Sequence, residues 1–203
     1  MSRPAPVAPA ALERSWFDRP AEVLARELLG ARLVADTADG SVGGRIVEVE
    51  AYRGPEDLAA HSSRGRTPRN AVMFGPPGHL YVYLIYGLHH CLNVVAGPGE
   101  KPEAVLVRAL EIDEGLELAR ARRGAGVPDR RLAAGPGNVG RALGVDRSLN
   151  GADLLDGAVR LEPRAGRAPS VQRGPRVGVA YADEWAERPL RFWVEGDPHV
   201  SRR

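Results

Sequence analysis

No apolar run in this chain lasts, because a charge, a glycine or a proline interrupts every one. With 24 Gly and 17 Pro in 203 residues, no stretch approaches the roughly 20 apolar residues of a membrane helix. The chain therefore offers no candidate membrane-spanning helix. Its length suffices for one domain with a substantial core. Apolar residues at 43% and charged residues at 27% exclude a mostly disordered protein. The single cysteine, Cys91, excludes an intrachain disulfide framework and any multi-cysteine metal site. Met1–Ser15 is Pro/Ala-rich and lacks an apolar h-region. The expectation is a flexible tail at 1–15 and a single domain at 16–203, in a cytoplasmic protein that does not bind membranes.

Local patterns sketch the elements. Asp18 is placed to cap a helix with Pro20 in its first turn, an apolar face of Val23, Leu24, Leu28 and Leu29, and Gly30 as its stop. Ala31–Val34 and Arg45–Tyr52 read as strands joined around Asp39-Gly40. Strict alternation in the second puts Ile46, Glu48, Glu50 and Tyr52 on one face. Pro55–His61 reads as a short helix and Ser62–Pro77 as loop. Leu80–Tyr86 and Cys91–Val95 form a hairpin hinged near Gly87, with Tyr86 at its tip. Ala104–Leu110 is a further strand, Glu114–Arg123 a helix capped by Asp113, and Gly135-Pro136-Gly137 opens a helix through Leu143. Arg160–Pro175 reads as basic surface loop, with Arg176–Tyr181 and Leu190–Val194 as closing strands. Without regular βαβ alternation, the fold class is α+β with a mostly antiparallel sheet.

The net charge of +2 excludes little, but its distribution is informative. Between Asp57 and Glu100 there is no acid, and Arg64, Arg66 and Arg69 fall in that gap. Four of the five tyrosines (Tyr52, Tyr81, Tyr83, Tyr86) lie within 35 residues. These rings either pack a core or stack on a base, and an exposed ring at a hairpin tip suits a nucleic-acid groove. Spacing alone does not say whether Glu48 or Glu50 faces a pocket. Neighbouring His89, His90 and Cys91 point alternately to opposite strand faces, and no Pro-Cys-x-x-Cys element accompanies them, so no metal site is expected. Gly135-Pro136-Gly137-Asn138 is a plain helix start or an anion-binding one. Of 28 basic residues only Lys101 is a lysine.

Several motifs in order resemble the alkyladenine (3-methyladenine) DNA glycosylases: Arg45–His61, Arg66–Asn70, Met73-Phe74, Leu80–Gly87 with Asn93, Val107–Glu111, Gly135-Pro136, Arg176–Val179, Glu184-Trp185 and Pro189–Phe192. The resemblance starts near Phe17-Asp18 and spans nearly all the chain beyond the tail. It implies a curved, open-barrel-like antiparallel sheet with surrounding helices and a protruding hairpin. It further implies a monomer, without cofactor, that flips damaged purines from double-stranded DNA and hydrolyses the N-glycosidic bond.

By that resemblance Glu50 activates water and Arg108 helps to hold it. Tyr52, His61, Tyr83, Asn93 and Val177 form the base pocket, with His61 as a donor toward neutral lesions. Tyr86 intercalates, and Arg64, Arg66, Thr67, Arg69 and Gly137 contact phosphates. The protein would be nucleoid-associated in a prokaryote and nuclear in a eukaryote. Strand-nicking glycosylases need an amine, and Lys101 lies outside every motif, so a monofunctional enzyme is expected. Two departures stand out: Asn138 where the family often has a basic residue, and His89-His90 in place of bulkier residues. The competing readings are a non-catalytic binder of damaged nucleic acid and, more distantly, an RNA-binding module of a translation-related enzyme. A binder has no use for a carboxylate at Glu50.

Overall fold

The computed structural model describes residues 12–98 and 101–202. Most of the expected tail, residues 1–11, lies outside that range. Its last residues do not: Arg14 opens α1 (Arg14–Phe17), donates to the Pro77 carbonyl at 2.8 Å and pairs with Asp153. No described helix is long and apolar enough to cross a membrane.

Eight strands, β1 (Arg32–Thr37), β2 (Gly40–Tyr52), β3 (Leu80–Ile85), β4 (His89–Ala96), β5 (Glu103–Glu114), β6 (Val159–Glu162), β7 (Val171–Gly174) and β8 (Arg191–Val194), form one sheet. Every pairing is antiparallel, and the order is β3-β4-β5-β2-β1-β6, with β8 joined to β2 and β7 to β8. The sheet forks at β2. Its first half pairs with β1, Glu48–Glu50 pair with β8, and β5 runs along its other edge. With α2 (Ala21–Leu28), α3 (Leu116–Arg123) and α4 (Pro136–Leu143) around the sheet, the α+β expectation is met.

The α2 helix buries Ala21, Leu24, Ala25 and Leu28 against β2 and β5, a face of period i, i+3, i+4, i+7. Val23, expected on that face, is exposed, and Asp18 does not cap α2 but ends α1, its N–H donating to the Ser15 carbonyl at 3.3 Å. Pro20 holds the N-cap position, and the Ala21 N–H is satisfied at 2.5 Å by Glu103, 82 residues away. Glu103 lies outside the local window in which capping is read from sequence. Similarly, β5 runs past its expected end, and left-handed Gly115 rather than Asp113 starts α3. Pro55–His61 is a set of turns, not a helix, because the Asp57 carboxylate takes the Arg53 and Ala59 N–H groups. The loop after it holds short 3-10 turns at His61–Arg64 and Ala71–Phe74. The supposed surface loop 160–175 contains most of β6 and all of β7. Arg176–Tyr181 is not a strand: Arg176 turns inward to a buried partner, and Gly178 takes a φ of 80°.

One register irregularity shapes everything near the middle of the sheet. Ile46 pairs with Leu110, Glu48 with Ala109 and Val49 with Val107. Val47 and Arg108 therefore have no partner opposite, and two bulges sit back to back. Ile46 consequently faces the core with Val49 and Ala51, not the face of Glu48 and Glu50 as strict alternation requires. The bulges are what let a core strand present carboxylates.

The α4 helix lies so close to β4 that a Cβ on Gly140 would stand 2.3 Å from the His90 carbonyl oxygen. Gly140→Ala is expected to destabilise the fold by about 1–3 kcal/mol through this overpacking. Thermal unfolding should show a Tm lowered by several degrees, and an unchanged Tm would contradict the close approach.

Candidate active site

An open cleft of about 580 Å³ lies on the face presenting the odd-numbered residues of β3 and β4. Tyr81 and Tyr83 come from β3, and Cys91 and Asn93 from β4. Glu50 and Tyr52 end β2, and the second bulge turns Arg108 of β5 into the same space. A segment beyond β7 brings Val177 and Gly178 across from them.

Glu50 is fully buried, and its contacts define the floor. Its Oε1 accepts from the Val177 N–H at 2.7 Å and lies 3.3 Å from the Arg108 Nη1. Its Oε2 accepts from the Tyr52 hydroxyl at 3.0 Å. Burial pushes its carboxyl above the ordinary value, while Arg108, the Val177 N–H and Tyr52 pull against that rise. Burial and the neighbouring carboxylate push the Tyr52 phenol well upward, which keeps it a donor.

The geometry separates the two carboxylates that spacing left equivalent. Glu48, also fully buried, accepts from Arg108 Nε at 3.0 Å, Arg191 Nη1 at 3.1 Å and the Ser201 N–H at 2.6 Å. It does not line the cleft, whereas Glu50 does.

Aromatic groups wall the cleft. His61 and Tyr83 meet edge to face with centroids 4.5 Å apart, and Tyr81 stands 5.5 Å from Tyr83. Tyr81 is buried with Met73, Val95 and Ala104, so this ring has the packing role, and its hydroxyl meets His61 Nδ1 at 2.9 Å. His61 presents one edge to the opening and packs the other. Burial of that inner edge, with Arg69 nearby, holds its pKa below the ordinary value. At neutral pH His61 is an uncharged hydrogen-bonding group rather than a cationic acid. Asn93 is buried, with Nδ2 donating to the Tyr81 carbonyl at 3.1 Å.

Tyr86 stands at the hairpin tip, 85% exposed, with Leu88 at 77%. Its φ of 53° is unusual for a large side chain, and such strain persists where the surroundings demand it. Gly137 reaches the cleft from the first turn of α4, packed so closely on β4 that a Cβ would meet the His89 ring. Arg64, Arg66, Thr67 and Arg69 do not line the cleft. They occupy the exposed segment between the two 3-10 turns, where the Thr67 N–H and hydroxyl bond to Asn70 and Arg69 reaches the Leu84 carbonyl at 3.2 Å. Asn138 spends its amide on the Ala134 carbonyl at 2.6 Å.

Sequence patterns did not flag Arg131, Tyr181, Ser201 or Arg202, all of which line the cleft. Ser201 and Arg202 carried no legible signal, because the Ser201 N–H and the Arg202 carbonyl reach Glu48 and Arg191 through the backbone, with the Ser201 hydroxyl accepting from Arg108. One group with the donors of a metal site, Glu111, Asp197 and His199, lies together among the described residues. Arg45 already pairs with both carboxylates, at 2.5 Å from Glu111 and 2.6 Å from Asp197.

Glu50 on the floor of an aromatic-walled cleft, with an exposed aromatic at the hairpin tip beside it, marks this cleft as the candidate active site. The methylpurine-DNA glycosylase family matches residues 15–198, and the chain belongs to that family. It is a DNA glycosylase, an enzyme of DNA repair. Mouse DNA-3-methyladenine glycosylase is 50% identical over 201 residues, which cover 92% of this chain and 60% of the mouse protein. A Streptomyces avermitilis protein provisionally named 3-methyladenine DNA glycosylase is 48% identical over 194 residues, 94% of this chain and 90% of that protein. A Methanoculleus marisnigri protein with the same provisional name is 48% identical over 197 residues, covering 95% of this chain and 99% of its own length.

The Val177 N–H is aimed by its neighbour. Arg176 pairs through both terminal nitrogens with Asp57, at 2.5 and 2.8 Å, and both side chains are wholly buried. Removing one partner leaves a buried charge uncompensated. Arg176→Met is expected to cost about 3–5 kcal/mol, and Asp57→Leu added to it should recover part of that loss. Denaturant unfolding of both variants checks this, and a negligible cost for Arg176→Met would contradict the pair's role.

Proposed function

We propose that this glycosylase flips alkylated or deaminated purines out of duplex DNA and hydrolyses their N-glycosidic bond, leaving an abasic site for base excision repair. The lesions are 3-methyladenine, 7-methylguanine, hypoxanthine and ethenoadenine, and the enzyme acts as a monomer. The observation that carries the reading is Glu50, a buried carboxylate held by two hydrogen-bond donors and the Arg108 cation, yet lining the cleft. The printed name of the mouse relative supports the choice of 3-methyladenine.

The chemistry follows from these contacts. A water beside Glu50 attacks C1′ as the C–N bond breaks, its proton passes to Glu50, and the bond's electron pair leaves with the purine. The carboxylate also favours the oxocarbenium character that develops on the sugar. Arg108 orients the water and balances the charge. An alkylated purine carries positive charge, so its ring leaves readily and is attracted to the faces of Tyr52 and Tyr83. Neutral lesions lack that advantage, and uncharged His61 offers them a hydrogen bond. Asn93 at the pocket edge disfavours guanine through its exocyclic amine. Tyr86, with the neighbouring tip of the hairpin, fills the gap left in the stack, which offsets an unstacking cost of a few kcal/mol. Arg64, Arg66, Thr67, Arg69 and Gly137 hold the phosphates.

Single-turnover excision from duplexes containing each lesion tests the reading. Glu50→Gln is expected to slow excision by about 10²- to 10⁴-fold with lesion-DNA affinity nearly unchanged; excision at the wild-type rate would refute Glu50 as the base. Glu50 must be ionised to accept the proton, so wild-type excision should rise with pH along an acid limb above the ordinary carboxylate value of 4.5. A limb at or below that value would contradict the burial effect.

The absence of a strand-nicking step is also testable. Lys101 does not line the cleft and is paired with Glu56 at 2.6 Å and Glu103 at 2.8 Å. Glu103 and then Glu56 raise its pKa and keep it protonated, hence unreactive toward an aldehyde. Borohydride reduction during turnover is expected to trap no protein–DNA adduct. An adduct that disappears in Lys101→Ala would overturn this.

A further inference from the structure

The Arg108 guanidinium has three nitrogens, and each has a partner. Nε donates to Glu48 at 3.0 Å, Nη1 faces Glu50 at 3.3 Å, and Nη2 donates to the Ser201 hydroxyl at 3.3 Å. Two buried carboxylates therefore share one arginine, and how it divides between them depends on what else Glu48 holds. Glu48 has two other donors, Arg191 Nη1 at 3.1 Å and the Ser201 backbone N–H at 2.6 Å. Arg191 in turn donates to the Arg202 carbonyl at 3.0 Å. The same short segment thus touches both ends of the network and lines the cleft.

We propose that Ser201 and Arg202 are positioning residues of the catalytic site, saturating Glu48 and Arg191 so that Arg108 stays against Glu50. A buried carboxylate deprived of a donor recruits another. Without the Ser201 N–H, Glu48 draws Arg108 toward itself, and Glu50 loses the cation that orients its water. Glu48 therefore acts on Glu50 through the shared Arg108, without touching the substrate space. The inference rests on the reading of Glu50 as the base.

The test separates the backbone donor from the side chain. Ser201→Ala keeps the N–H, whereas Ser201→Pro removes it. Single-turnover excision of hypoxanthine from a defined duplex is measured for both, for a chain ending at Val200 and for Glu50→Gln. Affinity for duplex carrying a tetrahydrofuran abasic site is measured in parallel. Ser201→Ala, which loses the hydroxyl contact to Arg108 at 3.3 Å but keeps the N–H on Glu48, is expected to lose less rate than Ser201→Pro. Ser201→Pro and the shortened chain should fall roughly 10- to 100-fold in rate, as a small misplacement of a catalytic group does, with abasic-site affinity preserved.

Glu48→Gln supplies a pH readout that a purely structural role would not move. The groups facing Glu50 are Arg108, Tyr52, Glu48, Tyr83, Cys91 and Arg176, and of these it is the Glu48 charge that raises the Glu50 pKa. Removing that charge, and freeing Arg108 for Glu50, both favour the ionised base. The acid limb should therefore move to lower pH. Wild-type rates in both Ser201→Pro and the shortened chain, alongside an inactive Glu50→Gln, would overturn the proposal while leaving Glu50 in place. Parallel loss of rate and abasic-site affinity, or an unmoved acid limb in Glu48→Gln, would also overturn it. An active Glu50→Gln would instead overturn the reading beneath it.

Discussion

Burying an anion is expensive unless the fold supplies partners for it, and Glu50 is a fully buried carboxylate with two hydrogen-bond donors and a paired arginine. Much of the domain's irregular structure serves that one requirement. Back-to-back bulges turn Arg108 onto the carboxylate's face of the sheet, and the buried Arg176–Asp57 pair aims the Val177 N–H at it. Tyr52, two residues along the same strand, supplies the remaining donor. Regular pairing alone would have placed a core side chain where Arg108 stands.

Around this floor the fold separates capture from chemistry. In the proposed function the capture surface is the exposed hairpin tip with Tyr86 and Leu88, together with the exposed basic segment carrying Arg64, Arg66 and Arg69. The chemical groups lie deeper and are held by networks, so that they are in place before a substrate arrives. His61 sits between the two, packed on the tyrosines, and its depressed pKa leaves it uncharged at neutral pH.

What the sequence made legible was local or matched a family motif. The Tyr86 hairpin, the α4 start and the antiparallel α+β class came from turn chemistry and alternation. Ile46 was misplaced because a period-two reading assumes no bulge, and the bulge is visible only in the pairing with β5. Asp18 and Asp113 looked like caps, but the α2 cap comes from Glu103, on the far side of the sequence. Glu48 and Glu50 were indistinguishable by spacing, since what separates them is the segment near Ser201 folding over one and not the other. The strand at 171–174 was hidden by a basic, Gly- and Pro-rich neighbourhood that reads as loop.

The most direct test of the central claim is the affinity of wild type and Glu50→Gln for two duplexes, one holding a cationic pyrrolidine in place of the sugar and one a neutral tetrahydrofuran. Transition-state mimics report the interactions that strengthen as the reaction proceeds. If Glu50 stabilises the developing sugar cation, Glu50→Gln binds the pyrrolidine duplex much more weakly and the tetrahydrofuran duplex as wild type does. Equal affinity of the two proteins for the pyrrolidine duplex would contradict it.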